Sequence, residues 1–236
     1  MKRLTILEAE ALAGKFRLDN GLSQYEPINA KTLLRKLNIT TMYRPLSDSS
    51  CGISCRSKSG KLFMLVNSNT TRGRQHFTIA HELYHLFYED NPTPHMCQGT
   101  ATGEERNANM FASALLLPRE GLLSMISNDE IIHHKIEFAT ILRMEQMFQV
   151  SRNHLILRLK ELKLITEEQI KKIQIIPVKN SAREYGYDMS LYEPGNKGVV
   201  IGDFGEKARR LFEDGKISEG HYIELLNMIS DGGEES

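Results

Sequence analysis

Nowhere does the sequence run apolar and uninterrupted for the roughly 20 residues that a bilayer crossing needs. Its first stretch, MKRLTILEAEALAGKF, is charged and broken, with neither an apolar h-region nor a small-residue cleavage site, so it does not read as a secretory signal. Cysteine is scarce. Cys51, Cys55 and Cys97 cannot all pair within one chain, and such sparse use fits a reducing, cytoplasmic setting rather than a disulfide scaffold. Net charge is lacking too: thirty Lys and Arg balance thirty Asp and Glu. No bulk basicity announces a nucleic-acid binder and no bulk acidity announces disorder. What remains is an ordinary globular composition of 236 residues, enough for one large domain or two small ones with a real core.

The pattern of apolar residues and punctuation predicts the elements. TILEAEALAGKFRLD (5–19) reads as an amphipathic helix, and Pro27 and Asn29 open a second, AKTLLRKLN. Three strand-like stretches follow at 40–45, 51–57 and 61–67, separated by turn residues (Asp48, Ser49 and Ser50, then Ser59-Gly60), which predicts a meander. Thr70 and Thr71 are candidate caps for a long helix from Arg72 to Tyr88. After a loop rich in Pro, Asn, Thr and Gly, EERNANMFASALLL predicts a helix stopped by Pro118. IEFATILRMEQMF, a turn at Val150-Ser151 with Ser151 as N-cap, and RNHLILRLKELKL make a helix-turn-helix pattern. IQIIPVK reads as a strand. Two terminal helices follow, the first ended by Gly215 and the second capped by Ser218.

The chemistry is concentrated in His81-Glu82-Leu83-Tyr84-His85. Histidines at i and i+4 on a helix project from one face, so their imidazoles can bind one ion. Glu82 lies between them, off that axis, where it can take a proton from water activated by the ion. So short a spacing also arises by chance, so its context matters. Phe77, Ile79, Ala80, Leu83 and Leu86 make this helix one that will be buried, and two histidines and a glutamate on a buried helix are costly without a partner.

A catalytic zinc takes three protein ligands and keeps one position open. The extended HExxHxxGxxH pattern is absent, because Tyr88 and Asn91 stand at those later positions, so the third ligand comes from elsewhere. The next helix offers Glu104 and Glu105. Glu105 shares a stripe with Ala108, Asn109 and Ala112, whose small alanines permit close approach to the HExxH helix; Glu105 is therefore preferred. Asn109, one turn on, is placed to orient a ligand histidine.

HFTIAHELYHLFY followed by ERNANMFASALLLP resembles the ImmA/IrrE family of metallopeptidases, with Glu105, Ala108, Asn109, Phe111, Ala112 and Pro118 matching its second motif position by position. The match is specific from about 72 to 118 and looser over the preceding strands and the helix-turn-helix stretch. The resemblance implies a cytoplasmic peptidase that cuts a helix-turn-helix repressor, in settings such as mobile elements, prophages, stress responses and toxin–antitoxin pairs. It implies Glu82 as catalytic and His81, His85 and Glu105 as ligands of Zn2+, for which other divalent metals can stand in. The expected fold is α+β. A mostly helical HExxH core with a small antiparallel sheet spans 1–130, a helix-turn-helix-like segment 131–170, and a C-terminal α/β tail with a strand and two helices 171–236.

Several other residues invite a role. His95 and Cys97 sit in the loop after the HExxH helix and can reach a metal as a blocking ligand; Cys51 and Cys55 share one face of a strand. Gly52-Ile53-Ser54 is the candidate edge strand on which an extended substrate would pair. Tyr84 and Tyr88 are both near enough in sequence to stabilise an oxyanion, and nothing chooses between them. Arg152, Asn153 and Arg158 would make phosphate or base contacts if the helix-turn-helix bound DNA. That leaves two functions: a metalloendopeptidase acting on a repressor, or a metal-containing DNA-binding regulator working through residues 135–165 without proteolysis. Glu82 favours the first, since a structural metal site does not need that carboxylate. A membrane is expected in neither.

Overall fold

The computed structural model describes residues 3–47, 49–89, 95–96 and 103–230. Helix α1 (Ile6–Asp19) starts at a capping box: Thr5 accepts from the Glu8 backbone while Glu8 reaches back to Thr5. Asn29 caps α2 (Ala30–Lys36). Strands β1 (Ile39–Arg44), β2 (Gly52–Arg56) and β3 (Leu62–Asn67) lead into α3 (Arg72–Tyr88), capped by the Thr71 side chain on the Arg74 N–H. A two-residue strand, β4 (His95–Met96), precedes α4 (Gly103–Leu116). Then come α5 (Arg119–Met125), α6 (Asn128–Ile132), α7 (Phe138–Phe148), α8 (Arg152–Glu161), α9 (Glu167–Gln174) and α10 (Val178–Glu184). A 3-10 turn (Met189–Tyr192), β5 (Val200–Ile201), α11 (Phe204–Glu213) and α12 (Glu219–Ser230) complete the order. No helix among the described residues is long and apolar enough to cross a membrane.

The α+β class stands, but the sheet is mixed rather than antiparallel. Its order is β4-β2-β3-β1-β5. β1 runs parallel to β3, Thr41 opposite Met64, and β2 lies antiparallel on the far side of β3. The expected meander therefore does not form: β1 and β2 never pair, and the chain from 45 to 51 crosses the end of β3 instead. Asn67, the last residue of β3, is the physical reason. Its side-chain amide donates to the carbonyls of Ser47 and Ser50 at 3.1 and 2.7 Å and accepts from the Leu46 N–H at 3.1 Å, which holds the crossing loop over the strand end. Asp48, expected in that turn, lies outside the described residues.

The strand expected in IQIIPVK is helix instead. Ile170 and Ile173 are buried one turn apart on α9, whereas Ile175 is 82% exposed, a spacing of three rather than two. Pro177 then starts α10 with a φ of −59°. The strand of this region is β5, which adds to the edge of β1 with Met42 opposite Val200.

One apolar cluster joins α1, the sheet, α3, α4, α7 and α8, with Met64, Leu83, Phe111, Ile141, Phe148 and Leu155 among its buried members. The helix-turn-helix stretch is real. Gln149 takes the left-handed conformation (φ 55°) at the end of α7, and Ser151 caps α8. Arg152 and Arg158, however, are not on an outer face. Arg152 is 3% exposed and bonds Glu145 at 2.6 Å and the Ser181 hydroxyl at 3.0 Å. Buried Arg158 donates to the Leu117 carbonyl at 3.1 Å and to Glu10 at 2.7 Å. Both guanidiniums are engaged inside the fold and are not on the outer face that DNA contacts would have required.

The chain from 190 to 201 returns as a strap across the start of α3. The Arg72 guanidinium donates to the Ser190 carbonyl at 3.0 Å and its backbone N–H to the Glu193 carbonyl at 2.9 Å. Gln75 donates to the Gly195 carbonyl at 2.9 Å and accepts from Asn196 at 2.8 Å. A Cβ at Gly195 would stand 2.5 Å from the Arg72 guanidinium, so a side chain there would have to displace that group from the strap.

Candidate metal centre

Helix α3 carries His81 and His85 on its buried face, and α4 meets it with Glu105 in its first turn. Ala108 and Ala112 are fully buried at the contact; with methyl groups there, the two helices can approach closely. The result is a tight constellation. His81 Nε2 lies 3.0 Å from His85 Nε2 and 3.2 Å from Glu105 Oε2, and His85 Nε2 lies 3.9 Å from Glu105 Oε1. One donor atom from each residue falls within 4.8 Å of the others, and all three residues are buried. Tetrahedral zinc, with bonds of about 2.0–2.2 Å, needs ligand atoms about 3.3–3.5 Å apart. The separations bracket that figure, so the three side chains fit a single metal ion. Among the described residues Glu105 completes the group; the Glu104 side chain lies outside them.

The outer nitrogens of both rings are engaged as well. His81 Nδ1 is 2.9 Å from the Asn109 side-chain oxygen, and His85 Nδ1 is 2.8 Å from Glu89 Oε2. Acceptors at both Nδ1 atoms place the N–H outside and turn the Nε2 lone pairs inward, the tautomer a metal needs. Asn109 was legible from its place one turn after Glu105. Glu89 was not singled out, although its i+4 spacing from His85 could have found it. Burial by itself disfavours charge on His81. The hydrogen bond to Glu105, the charges of Glu82 and Glu105, and the Asn109 contact outweigh that effect and raise its pKa above 6.5. Charges that favour an imidazolium at this position also favour a metal cation.

Glu82 stands apart from the triad. It is 0% exposed and turns toward the sheet, where the Ser54 hydroxyl donates to its Oε2 at 2.5 Å. Gly52, two residues earlier on the same face of β2, makes the approach possible: a Cβ there would lie 2.6 Å from the Thr78 methyl and 3.4 Å from Glu82 Oε1. The expected edge strand, Gly52-Ile53-Ser54, is not the edge. β4 lies outside it, with Ile53 opposite Met96 and Ser54 opposite His95. β2 instead supplies a floor beneath Glu82.

The remaining candidates lie elsewhere. Cys51 and Cys55 are partly exposed, and Cys51 accepts from the Arg74 guanidinium at 3.2 Å; neither belongs to a metal-ligating group among the described residues. Cys97 lies outside the described residues, as does the side chain of His95. Tyr84 and Tyr88 both pack on Phe111, with ring centroids 5.7 and 5.2 Å away, so the structure selects neither for an oxyanion. His133 and His134 are exposed and bond different carbonyls, those of Asp129 and Lys163. His154 stacks on Phe77, centroids 3.7 Å apart and planes within 5°.

A helix-borne HExxH pair completed by a glutamate from the following helix, with a glutamate held between, defines a candidate metal-binding protein of the HExxH class. The model of the peptidase M78 family, the IrrE N-terminal-like domain, matches residues 34–160, and the chain belongs to that family. The matched region contains the whole triad, Glu82 and most of the helix-turn-helix stretch. No curated protein matches the chain. A Mycobacterium tuberculosis transcriptional regulator is similar in structure, with 18% identity over 65% of this chain and 46% of that one and a TM-score of 0.45. The chain thus spans under half of that protein's length.

Proposed function

We propose that this chain is a zinc-dependent endopeptidase acting inside the cell on a specific protein, with a helix-turn-helix repressor as the expected substrate. The observation that carries the reading is the pairing of a three-residue metal site with a buried glutamate that is no part of it. His81, His85 and Glu105 would hold the ion, and two nitrogens with one oxygen suit zinc. Zinc in such a site supplies a Lewis acid that polarises a carbonyl and acidifies water. Glu82 takes a proton from the water as its oxygen attacks the scissile carbonyl carbon, and returns a proton to the amide nitrogen as the C–N bond breaks. Asn109 and Glu89 keep the two rings facing inward throughout.

The regulator reading drew on Arg152 and Arg158, and both are used up inside the fold. The test is to mix the zinc-loaded protein with a helix-turn-helix repressor encoded beside its gene and to follow scission by mass spectrometry. Cleavage at one site is expected, with Glu82→Gln retaining zinc but losing at least ~10²-fold in rate. Undiminished cleavage by metal-loaded Glu82→Gln, or sequence-specific DNA binding with no proteolysis of any neighbouring repressor, would overturn the proposal.

A further inference from the structure

We propose that Ser54 is a positioning residue for Glu82, fixing the plane of the carboxylate from the sheet side; the inference rests on the reading of Glu82 as the base. A carboxylate wholly removed from water is expensive unless hydrogen-bonded, and the Ser54 contact at 2.5 Å has the short length of an O–H donor on an ionised oxygen. The donor is itself held on both sides. Ser54 pairs across the sheet with Met64 of β3 and His95 of β4, so its Cα does not follow fluctuations of α3. Gly52 makes the approach close enough for so short a side chain to reach, since any Cβ at that position collides with Thr78. Alternate positions on one face of β2, a glycine and a serine, therefore act on the same carboxylate, one by leaving room and the other by donating.

The geometry has a chemical consequence. A glutamate has three side-chain torsions, and a base that rotates among them presents its accepting oxygen in the right place only part of the time. With Oε2 held by the hydroxyl, the position of Oε1 follows, and α3 sets the distance from that oxygen to the His81–His85–Glu105 centre. Ser54 is no member of the His81–His85–Glu105 group and acts through its bond to Glu82.

The test compares Ser54→Ala, Ser54→Thr and Ser54→Cys in the full-length zinc-loaded protein, with two independent readouts. In single-turnover and steady-state cleavage of the repressor, Ser54→Ala is expected to lower kcat roughly 10- to 100-fold, the worth of one hydrogen bond to a charged group, with KM and zinc content unchanged. Thr, which keeps a hydroxyl on the same carbon, restores most of the rate, and Cys, with its weak S–H donor, restores only part of it. Unchanged kcat in Ser54→Ala, a loss that falls on KM, or a loss that neither Thr nor Cys repairs overturns the proposal. The second readout needs no activity. A double-mutant cycle on urea unfolding should show that Ser54→Ala shifts the midpoint less in a Glu82→Gln background than in the wild type; additive shifts overturn the coupling outright. Cleavage that survives Glu82→Gln unchanged defeats the reading of Glu82 as base, while the unfolding cycle still decides whether Ser54 and Glu82 are coupled.

Discussion

Replacing Arg152 by alanine should destabilise the whole protein rather than weaken a surface. Its guanidinium bonds Glu145 at 2.6 Å, the Ser181 hydroxyl at 3.0 Å and the Ile176 carbonyl at 3.2 Å, with its carbon 4.9 Å from the centre of the Phe138 ring. Glu145 is 0% exposed. Without Arg152 it keeps the Tyr192 hydroxyl, 2.8 Å away, but loses its counter-charge. Stranding one member of a buried ion pair costs about 3–5 kcal/mol, a large part of the ~5–15 kcal/mol that holds a typical domain together. Burial already raises the Glu145 pKa above 4.5 against the pull of Arg152, and the variant raises it further. A folded acid with a raised pKa binds its proton more tightly than the unfolded one, so stability falls as pH rises through that window. The defect should therefore be smaller at pH 5 than at pH 8. Urea unfolding followed by circular dichroism at the two pH values measures it, and Glu145→Gln supplies the partner for a cycle. A loss below about 1 kcal/mol, or the same loss in the Glu145→Gln background, would refute the assignment of Arg152 to the interior.

Zinc content should fall from about one per chain to near zero in Glu105→Ala and stay near one in Glu104→Ala, as read by elemental analysis of dialysed protein; the reverse pattern would mean the wrong glutamate has been assigned. His154 has its pKa lowered from 6.5 to about 4, by burial and then by the nearby charge of Arg74. Its contribution is complete above pH 6.5 and drains away as pH falls toward 4, by at most about 3 kcal/mol and nearer 2 because part of the ring meets solvent. In His154→Phe that acid limb of the stability profile should flatten, and an unchanged limb would exclude His154 as its source. Gly52→Val should cost about 1–3 kcal/mol or more by overpacking β2 against Thr78; a thermal midpoint equal to wild type would show that β2 can retreat without penalty.

The local parts of this architecture were legible in the sequence and the long-range parts were not. The cap at Thr71, the helix to Tyr88 and the stop at Pro118 follow from residues within a few positions of each other, and each appeared where expected. The triad was legible because two of its members are one turn apart and the third lies on a stripe of small residues. Ser54 was named as part of a substrate-pairing edge. Its actual contact depends on β2 meeting α3, which carries Glu82 28 residues away and which no local pattern in 51–57 encodes. IQIIPVK was misread because four apolar residues beside a proline have no period long enough to separate strand from helix. The buried arginines were misread because a basic residue on an amphipathic helix looks solvent-facing until another part of the chain covers it. Here Glu10 does so for Arg158, and Ser181 and the Ile176 carbonyl for Arg152.

The strap has a consequence for the order in which the protein is made. Gln75 and the Gly195 carbonyl it grips are 120 residues apart. At about 5–20 residues per second, a ribosome delivers the clamp roughly 6–24 s after the helix it holds. From the synthesis of Glu105 until the clamp arrives, the residues of the centre are present while the first turn of their helix still lacks its anchor, and β1 still lacks its outer neighbour. The fastening of the centre thus comes only after all of its residues have been made. A chain cut between α8 and Ser190 would carry every residue of the site and none of the strap that secures it.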